Sequence, residues 1–245
     1  MQAAQTIRDA VARVTQLREA QARQPGLRAA VLAVKSLQAR RFAGTYQDLL
    51  RGPPYGAAAR FFLVELYSDR DFAERDAQFA RIAGAVERFF PAIVVQTAVN
   101  LAQLHALTEA LDHDMAVQWL AAESDPSETA RYVQAWRAVG RRNDRQAQLA
   151  DVLAIGDELA RLTRTPGLRT MLRMMRKPAS AAGLSALQQF LEAGFDTFAA
   201  MARAGHAPQF LRIIRERETA LITVLFDAPA VACETELART LGQAP

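Results

Sequence analysis

The sequence predicts an all-α protein, a single compact bundle of about ten helices. Three observations carry that expectation. Apolar residues recur at helical spacing along nearly the whole chain, no stretch shows the period-two alternation of a half-buried strand, and neither a fixed-period repeat nor a low-complexity linker divides the 245 residues. A chain of this length buries roughly 70–75% of the surface that its unfolded form exposes, so one core suffices without cross-links.

The elements follow in order. The first helix places Ile7, Val11, Val14 and Leu17 on one face and breaks at Gln24-Pro25-Gly26. A second runs from about Leu27 through Val31, Val34 and Leu37 to Leu50 and ends at the turn GPPYG, residues 52–56. These two, within residues 1–55, are expected to form an N-terminal hairpin packed on the rest. The stretch from Ala57 to Tyr67 is apolar on all sides, which predicts a buried helix. Ser68 followed by Asp71 is a capping-box pattern, and the helix it opens is predicted to bury Phe72, Phe79, Ile82, Val86 and Phe89. Pro91 then starts the longest helix, which reaches about Ala122.

Asp125-Pro126-Ser127-Glu128 supplies an N-cap, a proline at the first helical position and an acid, opening a sixth helix to about Gly140. A seventh spans about Asn143 to Leu162. Thr165-Pro166 caps an eighth that ends before Pro178, and a ninth spans about Ala179 to Arg203. A tenth carries Phe210, Ile214, Leu221 and Leu225. The domain is thus expected to span 1–227, with 228–245 a C-terminal tail to which no order is assigned.

Bulk properties exclude several classes. The net charge is +4 and the pI about 9.7, with Lys35 and Lys177 the only lysines. So small an excess, spread over the chain, argues against nucleic acid as a partner. One cysteine, Cys233, excludes an internal disulfide and any multi-cysteine zinc site within one chain, so a reducing, cytoplasmic setting is expected. The first residues lack the apolar core of a secretory signal. The longest charge-free run, Phe89 to Thr108, is too polar to span a bilayer, so no membrane is expected as a partner.

Three constellations are candidates for chemistry. His105, Glu109 and Asp112, spaced four and three apart, share one face of the fifth helix. Polar groups on an apolar stripe need partners, which a structural network or a binding pocket could both provide. Asp76 falls between Phe72 and Phe79, and Glu65 interrupts the preceding apolar helix, so both are candidate interior carboxylates. Such acids could hold a metal, but the paired Glu-x-x-His motifs of di-iron bundles are missing, and neither metal nor cofactor is assigned. The third constellation is basic. No acid occurs between Glu158 and Glu192, whereas Arg161, Arg164, Arg169, Arg173, Arg176 and Lys177 do, with Arg169, Arg173 and Arg176 on one face. That face is a solvated surface, a complement to the acidic stripe, or an anion site. Phosphate-binding loops, a GxSxG elbow and HExxH are lacking.

FFLVELY, DFAERDAQFAR, LHALTEALD, YVQAWRAVGRRNDRQAQL and FLRIIRERETALI together resemble an uncharacterised family of proteobacterial all-helical proteins of unknown function. Its motifs here read FFLxxLY, DFxxRD and LHxLxExLD, and the resemblance extends from about Arg60 to Phe226. It implies a helical fold in a proteobacterial cytoplasm and carries no catalytic residues. The functional expectation is a small anionic ligand held where Glu65, Asp76, His105, Glu109 and Asp112 meet Arg169, Arg173 and Arg176. The alternative is an interaction module or homodimer whose polar clusters are structural. Whether the protein is an enzyme stays open.

Overall fold

In a computed structural model, which describes residues 2–65, 70, 72–122 and 127–244, the helical periodicity resolves into thirteen helices. They are α1 (Gln2–Arg23), α2 (Pro25–Thr45), α3 (Gln47–Leu50), α4 (Gly56–Glu65), α5 (Ala73–Phe89), α6 (Ala92–Ala121) and α7 (Glu128–Val139). The chain continues with α8 (Arg142–Leu162), α9 (Leu168–Met174), α10 (Arg176–Ala181), α11 (Ser185–Arg203), α12 (Ala207–Asp227) and α13 (Ala230–Leu241). The all-α expectation holds, and no strand occurs among the described residues. The count exceeds ten because α3 separates from α2, a short α10 lies across the expected boundary between the eighth and ninth helices, and α13 is added.

At about 1.5 Å per residue the thirty residues of α6 span roughly 45 Å, and the other helices pack along them. α6 contacts α1, α2, α5, α7 and α8, while α12 lies on α8, and α11 packs on α4, α5 and α9. Three apolar clusters result. Ile7 and Val14 of α1 meet Ala83 of α5 and Val99 of α6. Val34 and Leu37 of α2 meet Met115, Trp136, Leu225 and Leu237. Phe62, Phe198 and Phe210 stack at the junction of α4, α11 and α12, with centroids 5.8–6.0 Å apart around Phe62.

One open point about the core is filled in and one expectation is corrected. The sequence leaves 228–245 as a tail, but residues 230–241 form α13 on α2 and α7, with Cys233 and Leu237 buried. The reason is an apolar face starting directly after Pro229, read as an ending where it is a helix start. In α5 the aromatic series fails at its end: Phe89 is 73% exposed, and the buried positions include Asp76 and Gln78. Both are sustained by partners on other helices. The oxygen of Gln78 accepts the Leu187 backbone N–H at 2.9 Å. The Ser68–Asp71 pattern and Asp125-Pro126 fall outside the described residues. The cap seen on α7 is Ser127, whose hydroxyl accepts Ala130 N–H at 3.1 Å.

Arginines close many helix ends from a distance. Guanidinium groups donate to Thr45 O at the end of α2 (Arg217), Leu50 O of α3 (Arg60), Glu65 O of α4 (Arg75) and Trp119 O of α6 (Arg131). Ala202 O of α11 receives Arg164, and Leu225 O of α12 receives Arg137. The last carbonyls of a helix lack intrahelical donors, and a cation there also meets the negative end of the dipole.

Candidate functional site

The polar face predicted on α6 exists, and its members have different partners. His105 Nε2 lies 2.8 Å from Asp76 Oδ2, and Arg18 of α1 donates to the same oxygen at 2.7 Å. Asp76 is 5% exposed. Burial pushes its pKa up, but the hydrogen bond and charge of His105, with the Arg18 charge, outweigh burial and hold the carboxyl below its ordinary value. Beside it Arg75 lies 3.9 Å from the Phe72 ring centroid, 4.4 Å from that of Phe190 and 3.5 Å from Glu65 Oε2.

One and two turns further along α6 the partners come from α2. Lys35 Nζ donates to Glu109 Oε1 at 2.6 Å, and Gln38 Nε2 to Asp112 Oδ1 at 3.1 Å. Asp112 is pushed up by burial and by the neighbouring Glu109, against the pull of Lys35 and Arg145. Arg41, three residues beyond Gln38, donates to Glu218 of α12 at 2.5 Å, and that carboxylate also accepts the Tyr46 hydroxyl at 2.8 Å. A belt of opposite charges thus crosses the interior. Sequence reasoning missed its α2 side, Lys35, Gln38 and Arg41, although polar residues at three-residue spacing among Val34 and Leu37 carry the same signal that marked α6.

The arginine face finds its carboxylates on α11. Arg169 Nε donates to Asp196 Oδ1 at 2.8 Å, and Arg176 makes a forked pair with Glu192, whose pKa that hydrogen bond lowers to about 2. Arg173 is exposed nearby. α9 and α10 pack on α11 and on each other, whereas His105, Glu109 and Asp112 face α1, α2 and α5. Arg169 and Arg176 are therefore matched by α11, and the polar face of α6 by α2 and α5. Among the described residues no three carboxylate, imidazole or thiol groups gather to hold a metal, and no helix is long and apolar enough to cross a membrane.

The open space lies elsewhere. A groove of about 460 Å³ runs between α8 and the start of α12, lined by Asp157, Glu158, Arg161 and Arg164 over Ala154, Ala160, Ala207 and Pro208. Small side chains on both helices leave the hollow. Asp157 and its neighbour Glu158 stand one turn before Arg161 on α8, and none of the four charged groups is within 4 Å of an opposite charge among the described residues. Arg164 donates to Ala202 O at 3.2 Å. Glu158 Oε1 accepts from Asn100 Nδ2 at 3.4 Å, while its Oε2 is buried without a hydrogen bond.

The arrangement defines an all-α bundle with charged pairs in its interior and a surface groove bordered by charges of both signs that make no ion pair among the described residues. The protein belongs to DUF8198, a family whose domain has no known function; that family's model matches residues 17–231. The chain matches no curated protein and no solved structure.

The Asp76 cluster makes a first prediction. A carboxyl whose folded pKa is depressed stabilises the fold above its unfolded value, near 3.8, and that contribution fades as pH falls through the folded value. Asp76→Asn is expected to cost about 1–3 kcal/mol at pH 7, because Arg18 and His105 lose a charged acceptor. In urea titrations the gap between wild type and variant should narrow below pH 4. A gap independent of pH would remove the charge from the explanation.

Proposed function

We propose that the protein is a binding module that takes a small anionic ligand in the groove between α8 and α12. The observation supporting this is the position of Arg161 and Arg164, two guanidinium groups beside an open hollow and without a carboxylate at ion-pair distance. Such groups are matched to planar or tetrahedral oxyanions, and the volume falls within the usual range for small-molecule sites. The arginines first singled out, Arg169 and Arg176, are neutralised by α11, so the anion reading moves to the preceding helix. The exposed apolar residues Phe89, Ile93 and Val231 give the partner-face alternative weaker support, since isolated apolar side chains are ordinary on protein surfaces.

Inorganic phosphate, acetate and succinate are expected to include at least one that raises the melting temperature of the full chain. Arg161→Ala should remove the shift without lowering the basal melting temperature, since the Arg161 side chain makes no hydrogen bond or ion pair within the described residues. No shift with any of the three, at millimolar concentration and constant ionic strength, would end this reading.

A further inference from the structure

An anion alone does not match the groove, because Asp157 and Glu158 line it beside the two arginines. We infer that the ligand is a zwitterion, with an ammonium group on Glu158 and a phosphate or carboxylate on Arg161 and Arg164; this rests on the anion reading above. Two observations lead there. First, Glu158 Oε2 is buried and accepts no hydrogen bond, while the contact of Oε1 with Asn100 is long at 3.4 Å. A buried carboxylate oxygen without a donor is costly, and because Glu158 lines the groove, a turn of its carboxylate towards the hollow would let a primary ammonium supply the donors that oxygen lacks. Second, Asp157 and Arg161 hold the i,i+4 spacing at which such residues ordinarily pair on a helix, yet they make no ion pair with each other where they line the groove. An acid and a base kept separate in a concave site leave room for a ligand carrying the complementary charges.

Spacing along α8 sets the scale of that ligand. Arg161 lies three residues beyond Glu158, a rise of roughly 4.5 Å along the axis, and Arg164 follows two residues past the helix end. The class that fits is a short molecule with its charges several bonds apart, such as an ω-amino acid or a phosphorylated amino alcohol.

The test is calorimetric titration of the full chain with phosphoethanolamine, ethanolamine and inorganic phosphate at fixed ionic strength and pH 7. Phosphoethanolamine is expected to bind at least tenfold more tightly than phosphate, and ethanolamine more weakly than either. Glu158→Gln, close to isosteric, should bring phosphoethanolamine down to the phosphate level while leaving phosphate affinity unchanged. Equal affinity for phosphate and phosphoethanolamine in the unaltered chain overturns the zwitterion and leaves the anion reading in place. A preference that survives in Glu158→Gln also overturns it. Binding of none of the three overturns both, and should the variant fail to fold, the ratio measured on the unaltered chain decides.

Discussion

Glu109→Ala is expected to destabilise the protein by about 3–5 kcal/mol. Glu109 and Lys35 meet at 2.6 Å with side chains only 5% and 16% exposed. Removing the carboxylate leaves the ammonium without a counter-charge where water cannot fully replace it. The carboxylate of Asp112 is close by, but burial already drives it towards its neutral form, so it is a poor substitute. Urea denaturation at pH 7 measures the loss. The double substitution Lys35→Met with Glu109→Leu should recover most of it, because an apolar pair of similar volume needs no charge compensation. Additive losses in the double variant would show that the two residues do not act as a pair.

Gly44→Ala is expected to free α13 from the bundle. A Cβ at Gly44 would stand 1.7 Å from Thr240 O and 2.7 Å from Thr240 C, both backbone atoms that cannot rotate aside. Either α2 shifts or α13 lifts, and α13 is the terminal element. Strain of this kind costs roughly 3 kcal/mol or more, which corresponds to about a hundredfold rise in the open population. Cys233 reports it directly. The thiol is fully buried, donating to Val224 O at 3.0 Å beneath Arg137, so a thiol reagent reaches it in the intact protein only through opening. Labelling under native conditions should accelerate by that factor in the variant. Unchanged labelling would mean that α13 does not dock on Gly44.

Much of this architecture was legible in the sequence, for identifiable reasons. The all-helical class follows from periodicity, and the α6 face from the four-and-three spacing of His105, Glu109 and Asp112. Asp76 was legible because a charge between two aromatics on one stripe needs a partner, and His105 is that partner. Other features depend on contacts between distant segments. Nothing local to Arg169 or Arg176 reveals that Asp196 and Glu192 return to them. Phe89 looks like core by composition, yet it is the last residue of α5 and points outward where the helix ends. Met174 is 67% exposed on α9, a short helix that packs on α10 and α11. The groove depends on alanines at Ala154, Ala160 and Ala207, and a missing side chain leaves no mark in a search for charged motifs.

The arginines that reach across to the carboxyl ends of α2, α3, α4, α6, α11 and α12 also shape how the molecule responds to alkali. A guanidinium group keeps its proton far beyond the range in which lysine, tyrosine and cysteine titrate. Bonds that lock helix termini with this group therefore persist in base, where ammonium clamps would let go. Basic solution should therefore leave these helix termini in place.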